Sequence, residues 1–144
     1  MKKLILALLA VVALCSCGNG QNANAQSSSK TAQKDVVEIL YFHGKQRCIT
    51  CNAIEKLTKE VVEKDFAQQV KDGKLVFKVI DISTKEGEKI ADKYEVTWSS
   101  LFLNKWKDGR ESRNNMTDFG FSYAKNSAEV FKAGVKKKIE ELLK

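Results

Sequence analysis

Ile39-Leu-Tyr-Phe-His-Gly-Lys-Gln-Arg-Cys-Ile-Thr-Cys51 decides how this chain folds. It belongs to a mostly continuous apolar run, Val36 to Phe42, of the kind expected in a strand buried on both faces of a sheet. His43-Gly44 breaks the run, and two cysteines three residues apart, Cys48 and Cys51, then open a long helical pattern. A strand that delivers a Cys-x-x-Cys pair to a helix N-terminus favours a reactive thiolate. Unpaired N–H groups and the positive end of the helix dipole stabilise S⁻ over SH there. The stretch therefore reads as a redox centre.

Beyond Cys51 the apolar residues Ile54, Leu57, Val61 or Val62, Phe66 and Val70 recur at helical steps, which predicts one long amphipathic helix closed by Asp72-Gly73. Lys74 to Asp81 is a second strong strand, with a buried-strand run from Leu75 to Asp81. Thr84 can cap a helix reaching Lys93. Val96 to Leu103 is a third extended segment, Lys107-Asp-Gly-Arg110 signals a hairpin turn, and a short strand is expected around Glu111 to Asn114. A helical turn near Phe119 to Lys125 precedes a terminal helix from Ala128 to Leu143. Phe77, Val79, Ile80, Leu101 and Phe102 are expected in the core, while Trp106, Phe119, Phe121, Tyr123 and Phe131 are expected to pack the last helix on the sheet.

The order strand, Cys-x-x-Cys helix, strand, helix, strand, hairpin, strand, helix resembles the thioredoxin-like family over about Asp35 to Lys144. The likeness rests on Val36–Phe42 running into Cys48-Ile-Thr-Cys51, on Leu75–Asp81, on Tyr94-Glu-Val96 and on Lys107-Asp-Gly109. It implies an α/β thioredoxin-like fold, a central mixed β-sheet of about four strands flanked by helices. It also implies that Cys48 is the exposed nucleophile and Cys51 the buried resolving thiol of a thiol–disulfide oxidoreductase. Ile49 and Thr50 would then stand where this family tunes its redox potential. Two family features are missing. The chain has no proline, so Ser100 or Ser99 stands where a cis-proline would open the third strand beside the cysteines. Tyr41 and Phe42 occupy the depth of the family's buried acid.

The candidate catalytic residues are thus Cys48 and Cys51. Lys45 and Arg47 are candidate stabilisers of the thiolate. His43 is a candidate proton shuttle or a plain strand-end residue. Trp98 is a candidate shield or substrate platform, or else a core aromatic, and Ser100 is the residue facing the pair. A structural disulfide would close too short a loop to restrict the unfolded chain much. A thiolate metal-binding or redox-sensing module without turnover is the alternative. The lone pair and one histidine fall short of the four ligands zinc takes, unless Asp81 or a second subunit contributes. No metal site or cofactor is assigned. No Gly-rich phosphate loop, Ser-His-Asp order or convincing carboxylate pair is present.

At 144 residues and 43% hydrophobic composition the chain has one domain's worth of core. Its formal charge is +7, but setting aside Lys2 and Lys3 leaves 23 basic residues against 18 acidic, interleaved over helical faces. That pattern describes a solvated surface and excludes nucleic acid as the expected partner. Met1 to Leu14 has a charged start and an apolar stretch too short to span a bilayer, the proportions of a secretory signal. Leu14-Cys-Ser-Cys17 resembles a bacterial lipobox, which implies lipidation at Cys17. Residues 1–17 are therefore expected to be a signal peptide with lipobox, 18–34 a flexible tether, and 35–144 the domain. The expected setting is the periplasm, with the domain membrane-anchored through the lipid; cleavage after Ala23-Asn-Ala25 would give a soluble secreted form instead. Expected partners are a protein or small-molecule disulfide substrate and a membrane electron donor of the thiol–disulfide relay type.

Overall fold

The computed structural model describes residues 35–144. The expected signal peptide and lipobox at 1–17, with Cys17, and the expected tether at 18–34 lie outside the described residues.

Nine elements follow in order: β1 (Val36–His43), α1 (Ile49–Asp65), α2 (Ala67–Lys71), β2 (Leu75–Asp81), α3 (Lys85–Lys93), β3 (Ser100–Lys107), β4 (Arg110–Ser112), α4 (Thr117–Tyr123) and α5 (Ala128–Leu142). The strands form one mixed sheet in the order β2-β1-β3-β4. β2 runs parallel to β1, while β3 and β4 are antiparallel to their neighbours. A parallel neighbour needs a crossover, and α1 with α2 supplies it. This is an α/β arrangement, a mixed four-stranded sheet flanked by helices, with β1 in the middle carrying the cysteine loop off its end.

Alternation along β1 feeds two cores. Val37, Ile39 and Tyr41 face α1 and α5, packing with Ile54, Val61, Leu101, Leu103, Phe131 and Ile139. Leu40 and Phe42 face the opposite side, with Ile80, Ala91, Val96 and Phe102 beneath α3. Among the described residues no helix is long and apolar enough to cross a membrane.

Several expectations are corrected. The helix expected from Cys51 to Val70 is broken at Phe66, whose non-helical backbone (φ −128°, ψ 20°) turns its ring into the main core. β2 is an edge strand, so the run expected to be buried throughout leaves Lys78 and Val79 exposed, Val79 at 44%. The third strand begins at Ser100 rather than Val96. Glu95 takes a left-handed conformation (φ 55°) that closes α3, and Val96 folds back so that its N–H donates to the Ala91 carbonyl at 3.0 Å. Trp106 lies on β3 instead of against the last helix, and its Nε1–H donates to Glu38 at 3.2 Å. Gly73 (φ 68°) ends α2 and Thr84 caps α3, its Oγ1 accepting from the Gly87 N–H at 3.0 Å, as the sequence led us to expect.

Candidate functional site

β1 ends at His43, and the loop from Gly44 to Arg47 carries the chain to the start of α1. Cys48 is the N-cap residue, with extended backbone (φ −77°, ψ 165°), and its Sγ accepts the Cys51 N–H at 2.9 Å. The two cysteines are joined in a disulfide, their Cα atoms 5.0 Å apart. Their exposure differs sharply. Cys48 is exposed beside Ile49, which is 73% exposed, whereas Cys51 is 6% exposed inside the first turn. Cys48 is thus the member of the pair open to a reagent from solvent, while Cys51 is nearly covered at the base of the cleft. No acidic residue occupies the first turn of α1, so the positive helix end is not offset there. The amide that caps the Cys48 sulfur in the disulfide is placed to stabilise its thiolate once the bond is reduced.

A cleft of about 600 Å³ opens over the pair, walled by Arg47, Cys48, Cys51, Trp98, Ser99 and Phe121. The loop before β3 supplies Trp98 and Ser99. α4 supplies Phe121 and is pinned to β3 by Thr117, whose Oγ1 accepts the Leu101 N–H at 3.0 Å. Trp98 is 57% exposed and stacks on Phe121 at 5.1 Å, so it is a ledge at the cleft and not a core residue. Phe121, expected against the last helix, divides its ring between that ledge and the main core.

Ser100, expected to face the cysteines, is buried at the start of β3 and does not line the cleft; Ser99 does. The register explains this. Ser100 pairs with Phe42, whose side chain points to the α3 side, while the cysteines stand on the side that Tyr41 faces. Ser100 Oγ instead donates to the Trp98 carbonyl at 3.2 Å.

The basic neighbours have separate fates. Lys45 is exposed in the loop. Arg47 is half-buried, pairs with Glu55 in the second turn of α1, and lies over the Tyr41 ring at 5.7 Å. Its Nε is buried and has no partner among the described residues. His43 is not among the residues lining the cleft. Its Nδ1 lies 3.0 Å from the Gly44 carbonyl oxygen, a bond in which the ring nitrogen donates. Asp81, its register partner on β2, is held below the usual carboxylate range by hydrogen bonds from the Ser83 hydroxyl and amide. Among the described residues no three His, Cys, Asp or Glu side chains converge as a metal site would need.

Two partners of the site escaped the sequence reading. Tyr41, fully buried, donates from its hydroxyl to the Cys51 carbonyl at 2.7 Å. Burial pushes its phenol pKa up, and bonds from Ser99 and Arg47 pull the other way. It acts as a neutral donor beneath the pair, where the sequence suggested only a missing acid. Glu55 stands seven residues after Cys48, so helical spacing places it on the same face; that was the available signal.

No family model matches the chain, and no curated protein matches it. Among solved structures it is similar to a thioredoxin from Thermus thermophilus, at 14% identity over 72% of this chain and 74% of that one, with a TM-score of 0.46. It is also similar to a malarial protein, at 16% identity over 76% of this chain and 99% of the other, with a TM-score of 0.44.

Proposed function

We propose that the protein is a thiol–disulfide oxidoreductase of the cell envelope, working through the Cys48/Cys51 couple. The observation that carries this reading is the asymmetry of the pair, an exposed sulfur at the helix N-cap linked to a sulfur buried in the first turn. In the reduced protein the Cys48 thiolate attacks one sulfur of a substrate disulfide. The substrate S–S bond breaks, one substrate thiolate leaves and takes a proton, and a mixed disulfide forms on Cys48. Cys51 then gives up its proton and attacks the Cys48 sulfur, which releases the second substrate thiol. Two electrons pass to the substrate, and the protein ends as the disulfide.

A purely structural bridge is a weaker account, because so short a loop adds little to stability. Outside the cytoplasm the disulfide form would accumulate after one turnover, so the reading includes a membrane electron donor that returns two electrons to the pair. The leader motif supports anchorage through lipidated Cys17, with the domain facing the periplasm on its tether.

The test is reduction of insulin disulfides with a dithiol donor. Turnover is expected with the wild-type protein and loss of it with Cys48→Ser, while Cys51→Ser should trap a mixed disulfide. A folded wild-type protein that reduces neither insulin nor a small disulfide would overturn the reading. Mass spectrometry of the membrane fraction tests the anchor: a mature chain starting at lipidated Cys17 is expected, and an unlipidated chain starting at Gln26 would remove it.

A further inference from the structure

The residue before the reactive cysteine is a cation whose charge is already taken. Arg47 is adjacent to Cys48 in the chain and shares its cleft. Both members of its ion pair with Glu55 are about one-quarter exposed, at 27% and 26%, so solvent screens the pair only in part. The guanidinium is further fixed over the Tyr41 ring, and Tyr41 bonds the Cys51 carbonyl. Glu55, Arg47 and Tyr41 therefore form a continuous polar path from the second turn of α1 to the backbone of the buried cysteine. The other cleft walls, Thr97, Trp98, Ser99 and Phe121, carry no charge. Lys45 in the loop, His43 at the end of β1 and Asp81 at the end of β2 are further ionisable groups at this end of the sheet.

We propose that Glu55 is a positioning residue that holds the Cys48–Cys51 couple toward the reducing side by neutralising Arg47. This deepens, and rests on, the redox reading above. Reduction makes a new charge appear beside Arg47. The disulfide takes up two electrons and one proton and becomes a thiol at Cys51 and a thiolate at Cys48. An unneutralised Arg47 would stabilise that thiolate and make the reduced form easier to reach. Glu55 cancels this help by engaging the cation and adding its own negative field. The thiolate is left to the helix terminus alone. The reduced protein is then the less stable, more electron-donating form, which suits a reductase.

The experiment equilibrates the full-length protein with reduced and oxidised glutathione, where two glutathione thiols give up two electrons and two protons to the Cys48–Cys51 disulfide and become one glutathione disulfide. The Cys48 pKa is read in parallel from ultraviolet thiolate absorbance. Glu55→Gln is expected to lower the Cys48 pKa and to shift the equilibrium about tenfold toward the dithiol, about 30 mV in potential. Arg47→Gln is expected to move both readings the opposite way, since it leaves Glu55 unpaired. Glu55→Asp, which keeps the charge, should stay closer to wild type than Glu55→Gln. Adding Glu55→Gln to Arg47→Gln should bring both readings back toward the wild-type values, because it removes the negative charge that Arg47→Gln leaves unpaired.

Opposite signs separate an electrostatic role from general damage, which would push both variants in one direction. Folded Glu55→Gln with wild-type pKa and equilibrium would overturn the proposal. So would a double variant that stays at the Arg47→Gln values, because the charge of Glu55 would then be without effect on the couple. If Glu55→Gln fails to fold, the sign of the Arg47→Gln shift decides. Failure of the wild-type pair to cycle at all would sink the redox reading itself; cycling without these shifts removes only the role given to Glu55.

Discussion

At the scale of single residues, the candidate site rests on side chains buried partly or wholly beneath the cleft. Tyr41 is the plainest case. Its hydroxyl spans from the floor of the sheet to the first turn of α1 and fixes the backbone of Cys51. Tyr41→Phe keeps the ring and removes that bond. We expect a loss of about 1 kcal/mol, seen as a lower urea midpoint at unchanged slope, with the disulfide still formed. The cysteines could be read directly from the sequence, because their spacing carries its own chemistry. Tyr41 and Glu55 could not, since their roles depend on which buried atom or cation they meet. The choice between Ser100 and Ser99 is closed to the sequence for the same reason: only the pairing of Phe42 with Ser100 reveals which way each serine points.

Elements show the same division between local and tertiary control. The turn at Asp108-Gly109 was announced by its residues, and both take positive φ, 51° and 74°, as a type I′ hairpin turn requires. The caps at Thr84 and Gly73 were likewise visible, because capping is chemistry between near neighbours. The break at Phe66 was not. Helical periodicity runs through it, and only the depth of the core explains why that ring turns inward. The edge position of β2 was equally hidden, because strand order is a property of pairing and not of composition. Glu95 marks a place where the chain pays for a sharp stop. It sits in the left-handed region, with its N–H donating to the Asp92 carbonyl at 3.2 Å. Glu95→Gly is expected to raise stability by about 0.5–1 kcal/mol, checked as a rise of a few degrees in Tm.

Across the whole molecule, the sheet is dressed unevenly. One side carries α1, α4 and α5, and the other is roofed only in part by the nine-residue α3. Beside that roof lies a polar cluster. Buried Asn104 donates from Nδ2 to Glu111 at 2.9 Å and accepts the Asn114 N–H at 3.1 Å. Tyr94 also bonds Glu111, with Arg113 above its ring at 4.2 Å. Burial, then the Glu111 bond and charge, raise the Tyr94 phenol well above its ordinary value near 10, and burial raises Tyr41 too. Both folded-state values therefore exceed the unfolded one. The stability this contributes is complete below about pH 10 and is lost as pH rises from there toward the folded-state values. We expect stability to fall steeply above pH 10, with tyrosinate absorbance rising together with unfolding. Tyr94→Phe should flatten that fall.

The ledge formed by Trp98 and Phe121 gives the protein an optical gauge of its own state. Disulfides quench nearby indole emission, and Trp98 shares its cleft with this one, whereas Trp106, the other tryptophan, is bonded to Glu38 on the far part of β3. Reduction should therefore brighten the intrinsic fluorescence. The rise should vanish in Trp98→Phe and persist in Trp106→Phe. A rise that survived Trp98→Phe would show that the signal comes from elsewhere. With that gauge, the exchange of electrons at Cys48 can be followed in real time on the unlabelled chain.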